Sequence, residues 1–222
     1  MPARMIGVLI LGMLLLPAFA QDARPLTLRA RAEQGHAPSQ YDLGVAYDRG
    51  EGLAQDLSAA VRWLRVAAQQ EHSEAQYELG LMYWGGRGVP QDYKEAVRWY
   101  RLAADQGYAW AQINLGFMYG DGRGVPQDDK EAARWYKEAA NQGLARAQLG
   151  LGLIYSLGIG VPQDYVQAHM WFNLASSNCP GNSACRVGAV QQRDQLAAKM
   201  SPVDLSEAQR LAREWKPKTG SQ

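Results

Sequence analysis

The sequence predicts an all-α protein: a right-handed α-α solenoid of four tandem 36-residue repeats with a C-terminal two-helix cap. Three observations predict it. Trp63, Trp99, Trp135 and Trp171 stand at one identical interval. Gln40-x-x-Leu43-Gly44-x-x-Tyr47 recurs at the same interval from Gln76, Gln112 and Gln148. Each unit holds two stretches of helical periodicity joined by a Gly-rich connection.

The first segment, 1–20, reads as a cleavable secretory signal. Arg4 gives a positive start, Met5 to Leu16 is uncharged and apolar, and Pro17-Ala18-Phe19-Ala20 offers small residues before Gln21. The apolar run is well short of the roughly 20 residues that span a bilayer. No Cys lies at the cleavage point for a lipid anchor. Export implies a periplasmic or secreted protein with no membrane span after cleavage. Taking Arg4 from the 23 basic residues leaves 22, against 22 acidic ones. A chain so nearly neutral is not expected to bind nucleic acid.

Residues 21–36 read as an N-terminal half-repeat, because Glu33-Gln34-Gly35 aligns with Asp105-Gln106-Gly107. The four units are 37–72, 73–108, 109–144 and 145–180. Within the first helix of each, positions such as Gln76, Leu79, Gly80 and Tyr83 share one face. The Gly costs about 1 kcal/mol of helix propensity, so close approach of a neighbouring helix is expected there. In the second helix, Ala96, Trp99, Tyr100 and Ala103 form the matching face. The set Leu64, Tyr100, Tyr136 and Phe172 lies beside the Trp set, and both read as core ridges. Between the helices, Gly86-Arg87-Gly88-Val89-Pro90 supplies positive φ and a stop. Asp92 with Glu95, and Asp128 with Glu131, read as capping boxes. Gly107 and Gly143 read as left-handed ends of the second helices.

The run Ala-x-x-x-Leu-Gly, then Tyr, then Gly-x-Gly-Val-Pro-Gln-Asp, then Ala-x-x-Trp-(Tyr/Phe) resembles the Sel1-like repeat, a tetratricopeptide-like family. It stands here as Ala75 to Tyr100 and Ala111 to Tyr136; repeat one departs at Leu53-Ala54. The resemblance implies a scaffold for protein–protein contact, often in bacterial envelope processes. It also implies a C-terminal cap, which residues 181–216 fit. Asn182 to Met200 reads as one helix, and Ser201-Pro202 starts another that runs to about Trp215. Residues 217–222 read as a disordered tail.

Cys179 and Cys185 are the only cysteines, and export places them where disulfides persist. A bridge between them is expected, with no metal and no redox role.

Catalysis finds little support. His36 and His72 share one repeat position and read as favourable charges at C-terminal helix ends. His169 falls mid-helix. There is no His-Glu-x-x-His and no Gly-x-Ser-x-Gly. A cysteine-rich branch of the Sel1-like family is associated with β-lactam binding and weak hydrolysis, but its cysteine pair per repeat is missing here. Lys218-Thr219-Gly220 spells one β-lactamase motif without any Ser-x-x-Lys. Gly120-Asp121-Gly122-Arg123-Gly124 lacks the Lys-Ser/Thr of a phosphate loop and reads as a turn. The sequence points to no enzyme, no cofactor and no metal.

Binding is the favoured function. By analogy with tetratricopeptide arrays, first-helix positions off the core line a concave surface. One such position reads Pro38, Glu74, Trp110, Arg146; another reads Asp48, Trp84, Gly120, Ser156. Trp84 and Trp110 either anchor a partner or pack against the next repeat. Glu74, Trp84, Trp110, Asn114, Asp121 and Arg146 are the candidate partner-binding residues. The expected partner is a protein or peptide bound to a monomer. A basic ridge of Arg62, Arg98, Arg134, Arg65, Arg101 and Lys137 offers a second reading, contact with an anionic envelope polymer or lipid surface. Glu95, Glu131 and Glu138 lie among these residues and blunt it.

Overall fold

A computed structural model describes residues 23–218, so segment 1–20, read above as a secretory signal, and the residues from Thr219 onward lie outside the described residues. All regular elements among the described residues are helices. They are α1 (Ala23–Glu33), α2 (Ala37–Arg49), α3 (Leu57–Gln69), α4 (Ser73–Gly85), α5 (Tyr93–Asp105), α6 (Ala109–Asp121), α7 (Asp129–Asn141), α8 (Ala145–Leu157), α9 (Tyr165–Asn178), α10 (Ala184–Ala197) and α11 (Pro202–Glu214). Each repeat is one pair, from α2/α3 to α8/α9, and each pair stacks on the next. None of these helices is long and apolar enough to cross a membrane.

Sequence sets the ends of these helices. Gly50, Gly86, Gly122 and Gly158 stop the first helices at φ of 71°, 66°, 65° and 70°. The next glycine of each loop has a different task. A Cβ at Gly88, Gly124 or Gly160 would collide with the backbone carbonyl of Leu57, Tyr93 or Asp129, each at the start of the preceding repeat's second helix. These glycines therefore bring the loops of adjacent repeats into contact.

Asp92 caps α5 as expected, accepting from the N–H groups of Lys94 at 2.9 Å and Glu95 at 3.1 Å. The reciprocal half of the capping box does not form. The Asp92 N–H goes to Tyr83 O at 3.0 Å, and Glu95 turns to Arg98. Asp128 and Glu131 behave alike, with Tyr119 O and Arg134 as partners. The Asp N–H is thus used to join the two helices of a repeat.

Inside each pair, the first-helix glycine receives a side chain from the second helix. An added Cβ at Gly80 would lie 2.6 Å from the Tyr100 ring, and at Gly152 2.6 Å from the Phe172 ring. Gly44 meets Leu64 and Gly116 meets Tyr136 in the same way. The Trp residues close the core between repeats. Trp99 packs with Leu64 and Leu79, Trp135 with Tyr100 and Leu115, and Trp171 with Ala140 and Leu151. Trp63, with only α1 before it, is half-buried.

A buried polar chain runs through this core. Gln76 Nε2 donates to Ala68 O at 3.1 Å in the preceding repeat, and Gln76 Oε1 accepts from Gln106 at 2.8 Å. Gln40, Gln112 and Gln148 do the same with Ala32 and Gln70, Ala104 and Gln142, and Ala140 and Asn178. Each amide is satisfied without water, as burial demands.

The array is closed at both ends. α1 packs on α2, and α10 packs on α9 with Leu196 in a small core beside Phe172. α11 also packs on α9, and Trp215 meets Trp171 edge-on at 6.0 Å. Cys179, the last cap of α9, is bridged to Cys185 in α10, with Cα atoms 5.9 Å apart. The chain then returns along the array, where the Lys218 N–H donates to Asn141 O at 2.8 Å. Pro217 and Lys218, expected in a loose tail, thus lie against repeat three.

Two substitutions separate close approach from backbone strain. Gly80→Ala forces a methyl into the Tyr100 ring and should destabilise the protein by about 2 kcal/mol in urea unfolding. Glu71 (φ 62°) is the one non-Gly residue at positive φ among the described residues, where the other repeats place Gly35, Gly107 and Gly143. Glu71→Gly should raise stability by about 1 kcal/mol in the same experiment.

Candidate functional site

The first helices are apolar on two faces. In α4, Leu79 and Met82 enter the core, while Tyr77, Leu81 and Trp84 remain partly or largely exposed. In α6, Leu115 and Met118 are buried, and Phe117 is exposed. Stacking the repeats sets these outer faces side by side. They form a groove of ≈ 350 Å³ between α4 and α6 that reaches Arg146 of α8. Leu81, Trp84, Ile113 and Phe117 give it apolar walls; Tyr77, Asn114 and Arg146 give it polar ones. Tyr100 and Tyr136, the rings that fill the glycine notches, line it from the second helices.

Of the six candidate residues, the structure gathers Trp84, Asn114 and Arg146 in this groove. Trp84 is 39% exposed and Trp110 44%, so neither is buried between repeats. Trp110 sits outside the groove lining, as do Glu74 and Asp121. Glu74 turns to its own helix start, accepting from Ser73 at 3.0 Å and facing His72 Nδ1 at 3.2 Å. Asp121 pairs with Arg123 at 3.3 Å. Tyr77, Leu81, Ile113 and Phe117 were missed, although they carry a signal: apolar residues at helical spacing beside an already complete core face.

Charge divides the first-helix face. α2 carries Asp42 and Asp48 beside Arg49, and α4 carries Glu74 and Glu78. α6 has a single charge, Asp121, at its end, and α8 has a single one, Arg146. Burial raises the Glu78 carboxyl and Asp48 adds to the effect, while Arg49 and Arg87 oppose it. Burial also raises the Tyr77 phenol and pushes Tyr108 up to about 12. Burial raises the Tyr100 phenol too, and Asn114, beside the hydroxyls of Tyr77 and Tyr100, opposes the rise at both. The Tyr100 hydroxyl is nevertheless buried with no hydrogen-bond partner of good geometry.

The other candidate features resolve into structure. His36 and His72 are N-caps and not C-terminal charges: each Nδ1 accepts an N–H, from Ser39 and from Ala75, at 3.3 Å. Their counterparts Tyr108 and Leu144 make no side-chain cap. His169 is 3% exposed, and burial, with Arg193 nearby, lowers its pKa. The basic ridge is largely engaged. Arg98 and Arg134 pair with Glu95 and Glu131, and each lies over its neighbouring Trp ring. Arg65 donates to the Tyr83 hydroxyl at 2.7 Å and Arg101 to that of Tyr119, so both tie one repeat to the next. Among the described residues, no group of His, Cys, Asp and Glu side chains could hold a metal. In the Gly120–Gly124 loop, Gly122 and Gly124 adopt positive φ, as a turn requires.

Helix pairs in register, glycine notches and a variable outer face define a tetratricopeptide-like repeat protein. The Sel1 repeat model matches residues 37–72, 73–108, 111–144 and 145–178, and the chain belongs to that family. It is 37% identical to a protective antigen of uropathogenic Escherichia coli with an SLR fold, at a TM-score of 0.76 over 86% of this chain. The match spans 40% of that protein's length. It is 32% identical to a Sel1 repeat protein from Oxalobacter formigenes, at a TM-score of 0.72 over 88% of this chain and 79% of the other. No curated protein matches. Sel1-repeat proteins generally mediate protein–protein contact and are typically not enzymes.

The raised Glu78 carboxyl has a stability consequence. A folded pKa above the unfolded value lowers stability once pH passes the unfolded glutamate value of about 4.3. Glu78→Gln should therefore be more stable than the wild type at neutral pH. The difference should vanish below about pH 4, where both states of the wild type hold the proton. Urea midpoints at the two pH values check it.

Proposed function

We propose that this protein is an exported interaction module that holds a segment of a partner protein on the concave, first-helix face of its solenoid, in a bacterial envelope process. The observation that carries the reading is the aromatic groove. Leu81, Trp84 and Phe117 present apolar surface between two repeats while the repeat-invariant residues are used for packing. Exposed aromatic side chains in a formed groove are what partner-binding hot spots are made of. The signal segment 1–20 and the Cys179–Cys185 bridge support a periplasmic or secreted site of action. The basic ridge supports an anionic surface less well, because four of its cations are held by carboxylates, tyrosine hydroxyls or Trp rings.

Photocrosslinking in intact cells tests the reading. A crosslinker at Phe117 should trap a discrete partner band, and one at Lys137 on the second-helix face should not. Trp84→Ala should reduce the Phe117 adduct several-fold while leaving the melting temperature within a few degrees. Equal adducts from both faces would refute the groove. The mature chain recovered from the same cells should begin at Gln21 by intact mass.

A further inference from the structure

The groove carries more chemistry than an apolar slot needs. Arg146 is exposed at its α8 end, and among the described residues no carboxylate pairs with it. α8 also begins without a side-chain acceptor, since its N-cap Leu144 offers none, and the first N–H groups add to the positive field there. Asn114 lies on α6 beside the hydroxyls of Tyr77 and Tyr100. Tyr100 is 1% exposed, so its ring lines the groove while its hydroxyl is shut off from a ligand. A cation and an amide in one apolar groove are donors for an anion.

We infer that the groove recognises a linear peptide segment in which a large apolar side chain lies between Leu81 and Phe117 and a nearby Asp or Glu side chain is taken by Arg146 and Asn114. The inference rests on the partner-binding reading above and specifies its ligand. Charge complementarity selects an acidic side chain. α8 offers Arg146 alone, whereas α4 carries Glu74 and Glu78 and α2 carries Asp42, with its Asp48 paired to Arg87 and Arg49 at its end. A carboxylate is therefore favoured at the α8 end and disfavoured toward α4 and α2.

The test is a selection from two synthetic random octapeptide libraries, one N-acetylated and C-amidated, the other with a free C-terminus, against the mature protein. The capped library should yield binders with Asp or Glu within a few residues of Phe, Leu, Met or Trp. Changing that acid to its amide should weaken binding about tenfold, the worth of one charge-assisted hydrogen bond. Arg146→Gln should abolish the difference between acid and amide peptides. Equal affinity for acid and amide peptides, or an acid preference that survives Arg146→Gln, overturns the inference. Binders found only in the free-terminus library overturn it as well, because the anion is then the chain end. In these three cases, loss of binding in Trp84→Ala shows that the groove reading still stands. If no binder from either library depends on Trp84, the groove reading fails and this inference with it.

Discussion

A ring pressed against a glycine is the contact on which the rest of this structure depends. Gly80 against Tyr100, and Gly152 against Phe172, bring the two helices of a repeat so close that no Cβ fits between them. At that separation the small residues of the second helix, such as Ala96 and Ala103, become fully buried. The Trp beside each ring is then left to fill the space toward the preceding repeat, as Trp99 does against Leu64 and Leu79. One notch thus sets the spacing within a repeat and frees a neighbouring side chain to set the spacing between repeats. The loop glycines Gly88, Gly124 and Gly160 complete the stack by letting backbone meet backbone. Stability in such an array is a sum of repeat and interface terms, so a contact used in every copy has a large aggregate effect.

The buried glutamines constrain the same stack in a different way. Apolar packing tolerates small slips, whereas a hydrogen-bonded amide does not. Gln76 holds the end of the preceding repeat through Ala68 and its own second helix through Gln106. Because Gln40, Gln76, Gln112 and Gln148 each donate and accept, the series adds specificity of register. The Arg65–Tyr83 and Arg101–Tyr119 contacts repeat the theme on the outer face. Two of the basic residues that look like a ligand surface in sequence, Arg65 and Arg101, therefore join neighbouring repeats.

With packing and register assigned to the invariant positions, the outer face of the first helices is free to vary. Its residues run from acidic at α2 and α4 to basic at α8, with aromatic side chains between. Comparing repeats position by position found Trp84, Asn114 and Arg146. It also offered Trp110, which is as exposed as Trp84 but lies outside the groove. The difference is one of place along the helix. Trp84 stands at the end of α4, and Trp110 at the start of α6. Phe117 escaped the comparison because Val45, Leu81 and Leu153 at its position are all apolar, and uniform apolarity reads as core.

The sequence by itself determined the repeat length, the helix pairs, their stops and caps, and the pairing partner of Cys179. These are local events governed by backbone conformation and short-range hydrogen bonds, and four copies supplied four independent readings of each. Two local assignments still failed, the reciprocal capping boxes and the role of His36 and His72. In the first, a donor needed for the box was taken by Tyr83 O. In the second, one residue of phase turned a helix end into a helix start. Only the tertiary structure decided which outer residues share a groove and which cations are already engaged. That choice depends on the stacking of repeats far apart in sequence, and no single repeat contains it.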